Sequence, residues 1–166
     1  MNLKELVQGA WPDHEQKTAE VADRLEAGLE LVEPNDPEGV TSFLHVVNHT
    51  VGDHAGARAR ALRVCEAAVA KLQVQGDDTP WLHLAVARHL AGEEQAAHEA
   101  EARLGAEPSS AVRVRLLVAQ GKAHEQDWAG SRALWEECLA VADGLDEGHK
   151  AERVVAMVSN NLASML

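Results

Sequence analysis

Nine histidines and two cysteines are the side chains of this 166-residue chain best suited to metal or nucleophilic chemistry. His45 and His49 stand four residues apart, a spacing that puts both imidazoles on one face of a helix, and His54 follows shortly after. A zinc site needs three or four ligands, and neither an HExxH nor a CxxC pattern is present to complete one. The sequence therefore assigns no metal ligand and no cofactor, and metal binding through histidine clusters ranks third among its functional readings. Cys65 and Cys138 each fall in an amphipathic stretch and read as small buried hydrophobes rather than a disulfide. A Gly-rich phosphate loop, a nucleophile elbow and a paired-carboxylate motif are all missing, so no catalytic residue is assigned and the chain reads as a non-enzyme. Asp77-Asp78 reads as a turn and helix cap. Arg58, Arg60 and Arg63 beside Glu66 read as a solvated, locally paired face.

The elements that must position these residues are helices. Ala, Leu, Glu and Arg dominate, one Phe and no Tyr are present, and β-branched runs are few. A net charge of −12, from 27 acidic and 15 basic residues, repels phosphate backbones and anionic lipid, which disfavours nucleic acid and membrane as ligands. The first residues lack the basic and apolar regions of a signal peptide, and no apolar run approaches the length of a membrane span. A cytoplasmic location follows as the expectation.

Breakers divide the chain. Pro12-Asp13 predicts a helix start, with an amphipathic helix over 14–32 carrying Ala19, Ala22, Leu25, Leu29 and Val32. Pro34-Asn35-Asp36-Pro37 ends it. Helices are predicted over 38–51, 55–73, 80–91, 93–104, 111–125, 128–143 and 149–166, with turns at Gly52-Asp53, Gly92 and Gln126-Asp127 and links at 76–80, 105–110 and 144–148. Ser109 or Ser110 should cap the helix that follows it.

A spaced signature recurs along these helices. Its clearest copy is Trp81-x2-Leu84-Ala85, the turn Gly92-Glu93, then Ala97 and Ala100. A second runs from Val114 to Ala123, through Gln126-Asp127, to Ser131, Trp135 and Cys138. A third begins at Thr41-x2-Leu44, turns at Gly52-Asp53 and resumes with Ala57 and Ala61. Gly92 and Gln126 lie 34 positions apart, the period of tetratricopeptide helix pairs, whereas Gly52 and Gly92 lie 40 apart. The pattern resembles the tetratricopeptide repeat family, in the longer-spaced version of bacterial regulators and adaptors. Glu101 stands where that family has an aromatic residue. The resemblance implies an all-α fold of antiparallel helix-turn-helix pairs stacked in a right-handed solenoid. Small residues such as Ala85, Ala97 and Ser131 are then expected at the closest helix approaches, with Trp81, Leu84, Leu116 and Trp135 filling between units. The implied organisation is an N-terminal helical segment over 1–36, a degenerate repeat, followed by repeats at about 37–76, 79–107 and 110–145 and a terminal helix at 149–166.

In that family the first helix of each pair lines a concave face. The positions falling there are Ser42, Val46, His49, Leu82, Val86, His89, Leu116, Gln120 and His124, a mixed apolar and imidazole row. His49 and His89 each precede their turn glycine by three residues. These positions lack the Lys, Asn and Arg of the family's carboxylate clamp. The expected function is a non-catalytic interaction module or adaptor binding a peptide or protein segment on that face, and the alternative is that the row is only the solvent side of the helices. A second function is regulation or self-association. Val155, Val158, Leu162 and Leu166 form an apolar row on the last helix, with Met157 and Met165 opposite. That helix either caps the preceding pair, dimerises with its own copy, or is followed by further chain; capping is favoured.

Overall fold

The computed structural model describes residues 1–10, 17–73, 76–105, 109–124, 127–142 and 149–164, and for 128, 149–154 and 164 the backbone alone. Every described element is helical, with no strand among the described residues, so the fold is all-α. Among the same residues no helix is long and apolar enough to cross a membrane. The chain divides into two compact units, Met1–Leu104 and Gly105–Leu166.

The first unit holds α1 (Leu3–Ala10), α2 (Thr18–Ala27), α3 (Pro37–Thr50), α4 (Arg58–Ala70), α5 (Thr79–Leu90) and α6 (Glu94–Glu101). Helix α3 is its centre, packed against α1, α2, α4 and α5, while α6 packs on α5. Its core gathers Leu6, Val21, Leu25, Phe43, Leu44, Cys65 and Leu84. The residues of 1–36 that are described belong to this unit, since α1 and α2 bury Leu6 and Leu25 in that core.

Local chemistry sets the helix ends. The Asp36 carboxylate accepts a hydrogen bond from the Gly39 amide at 2.9 Å, with Pro37 at the first helical position, so the breaker before α3 is also its cap. Asp77 does the same service before α5, accepting from the Thr79 amide at 3.0 Å, and that bond holds its carboxyl below the ordinary range. The helix expected over 55–73 opens instead as a single 3-10 turn, Ala55–Ala57, and becomes α-helical at Arg58. Arg58 is responsible in part: its Nε donates to the Gly52 carbonyl at 3.1 Å and folds the connection back onto the end of α3. The helix expected over 14–32 is described from Thr18 and tightens into a 3-10 turn at Gly28–Leu31. Three helices are tied together by Asn48, whose Nδ2 donates to the His83 carbonyl of α5 at 2.9 Å and whose Oδ1 lies 3.8 Å from the Cys65 thiol of α4.

The second unit holds α7 (Ser110–Ala123), α8 (Trp128–Ala142) and α9 (His149–Ser164), with α8 packed on both α7 and α9. Ser109 caps α7, its hydroxyl accepting from the Val112 amide at 3.4 Å, as expected. Trp135 is fully buried, and a Cβ added at Gly121 would sit 2.7 Å from its ring atoms Cε2 and Cζ2. The glycine therefore lets the indole close directly against the backbone of α7. Ser131, also buried, donates its hydroxyl to the Gly121 carbonyl at 3.4 Å. Val158 of α9 is fully buried in this core, and Val155, Met157 and Leu162 pack partly against it. Met157 thus shares the covered face of α9 rather than the opposite one, because the stripe α9 buries is wider than a single row. Leu166, Met165, Gln126, Pro12-Asp13 and the 144–148 link lie outside the described residues.

Cys65 and Cys138 are free and buried. Burial pushes the Cys65 thiol up strongly and the Cys138 thiol up to about 11, with Glu66 and Glu137 adding to each shift. Since only the thiolate attacks a disulfide, neither cysteine should react with Ellman's reagent in the native chain at about pH 8, and both should titrate in denaturant. Rapid reaction of either native thiol would contradict this burial.

Candidate functional site

The hairpin of α5 and α6 brings together His89, His98 and Glu101, the one group of three His, Cys, Asp or Glu side chains with donor atoms so close together among the described residues. Gly92 has φ of +79°, a backbone region that side-chain-bearing residues rarely adopt. Its amide bonds the His89 carbonyl at 3.0 Å and the Glu93 amide bonds the Arg88 carbonyl at 2.9 Å. This pair of bonds is the Schellman ending of a helix, and it folds α6 directly back on α5. Two further links hold the hairpin. Arg88 donates through Nη1 to the Ala96 carbonyl at 2.8 Å and pairs with Glu66 of α4 at 3.5 Å. Beyond α6, the Arg103 guanidinium lies 3.9 Å above the Trp81 ring.

The fold-back sets His89, in the last turn of α5, against His98 and Glu101 of α6, which are three residues apart and so share a helix face. His89 Nε2 meets Glu101 Oε1 in a short contact, and His98 Nδ1 lies 3.3 Å from Glu101 Oε2. The two imidazoles stand edge to face with centroids 5.5 Å apart. The three donor atoms all lie within 4.8 Å of one another. Exposure is graded across the set: His89 is 1% exposed, Glu101 24% and His98 63%. Burial lowers the pKa of His89, an effect that the Glu101 hydrogen bond and charge oppose. Its ring is thereby held toward the neutral form.

A second imidazole group lies on α3 and α5. The His45 ring is 4.4 Å from that of His49 and 5.5 Å, edge to face, from that of His83. His49 is exposed, His45 half-buried and His83 buried, so the group runs from the surface into the seam between the helices. His54, grouped with the first two in the sequence, is exposed before α4.

Of the expected concave row in the first unit, Ser42 and His49 are exposed and Val86 is half-buried, whereas Val46, Leu82 and His89 are buried. In the second unit Leu116 is buried and Gln120 and His124 are half-buried. Val46 is interior because four helices surround α3, leaving Glu38, Ser42 and His49 as its only exposed side chains, with His45 half-buried beside them. His49 and His89, equivalent in their distance to a turn, differ because His89 is drawn into the hairpin by Glu101. On α9, Val158 is interior and Val155 and Leu162 are partly covered.

Sequence reasoning passed over the grouping of His89 with His98 and Glu101. The signal was present in part: Gly92 folds α6 back along α5, so a histidine near the end of α5 lies against α6. Glu101, in place of an aromatic residue, marked a polar partner there. No protein-family model, curated protein or solved structure matches this chain.

Proposed function

We propose that this chain is a non-catalytic interaction module built of tetratricopeptide-like helix pairs, which takes a peptide or protein segment on the face shared by α3 and α5. The carrying observation is the imidazole row of His49, His45 and His83, which crosses from one first helix to the next and opens to solvent beside Ser42 and Val86. Support for the repeat reading comes from the packing of α3 with both α4 and α5, and of α5 with both α4 and α6. Ala85, Ala97 and Ser131 are fully buried, as small residues at close helix approaches would be. A helix pair buries one side by itself and presents the other, so such a stack favours binding over catalysis. The net charge of −12 steers cationic segments toward the chain. Two free cysteines accord with a reducing, cytoplasmic setting.

The test is site-specific photo-cross-linking in the native host. A cross-linker at Ser42 or His49 should give one discrete adduct, and one at exposed Arg63 of α4 should not. The captured protein, once purified, should bind the chain and lose affinity with His49→Glu. Equal adducts at all three positions, or none at Ser42 and His49, would rule out this face.

A further inference from the structure

We propose that His89, His98 and Glu101 form a binding site for one zinc-class divalent cation, which pins α6 to α5. Three observations converge on it. The donor set is two imidazole nitrogens and a carboxylate oxygen, which suits zinc and its neighbours; calcium and magnesium prefer all-oxygen sites. Spacing agrees on one side. Ligands about 2.0–2.1 Å from a tetrahedral zinc are separated by about 3.3 Å, as His98 Nδ1 is from Glu101 Oε2, whereas His89 Nε2 meets the other carboxylate oxygen directly and must part from it to admit the ion. All three donors fall within 4.8 Å, and among the described residues no other three His, Cys, Asp or Glu side chains do so. Finally, the burial gradient provides both rigidity and access. His89 is fixed in the interior at the Schellman turn, Glu101 is partly covered, and His98 is open at the surface where an ion would enter. Water completes the coordination on that open side.

Local charge favours a cation. Glu94 lies one helical turn before His98 on the same face, and its carboxylate acts on His89. The competing explanation is a carboxylate that simply bridges two imidazole N–H groups. That arrangement fills the same space but takes up no metal, so the two are separable by experiment. The site is also distinct from the His45 and His49 pair that the sequence brings to notice first.

The measurement is competition of the untagged, chelator-stripped full chain with a chromophoric chelator for added Zn(II), alongside thermal melting. One Zn(II) per chain and a rise in melting temperature are expected, because a ligand that binds only the folded state stabilises it. Magnesium and calcium should produce neither effect. His98→Ala and Glu101→Gln should each weaken zinc binding by about tenfold or more; both alter side chains with solvent access and preserve the buried His89. The double change His45→Ala and His49→Ala should leave binding intact. Circular dichroism would establish that each variant is folded. Absence of zinc uptake, uptake unaffected by both His98→Ala and Glu101→Gln, or uptake abolished by the His45/His49 change would each overturn the proposal.

Discussion

Trp135→Ala should destabilise the second unit by about 3–5 kcal/mol, the range for truncating a buried tryptophan. The residue is 2% exposed, and its core also contains Val114, Leu117, Cys138, Ala142 and Val158. A unit of three helices has few other large side chains with which to fill the void. Gly121 provides the sharper half of the experiment. Replacing a helical glycine with alanine ordinarily gains about 1 kcal/mol, but here the new methyl carbon would stand 2.7 Å from a rigid indole. Overpacking of this kind costs about 1–3 kcal/mol, so Gly121→Ala should be destabilising in the native background. In the Trp135→Ala background the indole is gone, and the same substitution should become stabilising. Urea unfolding followed by far-ultraviolet circular dichroism reads all four corners of the cycle. An effect of the same sign in both backgrounds would mean that the glycine is not there to admit the ring.

The helices were legible from the sequence because their ends are chemical and local. Asp36-Pro37, Gly92 and Ser109 specify a cap, a left-handed turn and a second cap through bonds to residues within a few positions. Which side of each helix stays open is not local. Val46 belongs to a plausible exposed row by spacing, yet α3 has four helical neighbours and buries it. His89 shows the same effect with polar chemistry. Its distance from the turn made it a twin of His49, while its surroundings depend on the register of α6 and on a glutamate twelve residues later. Spacing within one helix finds His45 and His49, whose rings do meet. The His89, His98 and Glu101 group spans a turn, and only the fold-back geometry joins it.

Val158→Asp should release α9 and melt the protection of α7 and α8 with it. Val158 is fully buried, and Val155, Met157 and Leu162 close over the same core. An unpaired carboxylate placed there costs on the order of 3–5 kcal/mol, more than a three-helix unit can absorb. Ser159→Asp, one position along on the exposed side, should change stability by no more than about 0.5 kcal/mol. The pair separates two roles for the apolar row of α9. If the row caps α8, Val158→Asp removes slow amide hydrogen exchange across α7–α9 while light scattering reports the same particle mass as the parent chain. If the row instead joins two copies, the same substitution converts a dimer into a folded monomer with exchange protection retained. Capping is the expected result, because a side chain with no surface to offer in one chain has none with which to hold a second.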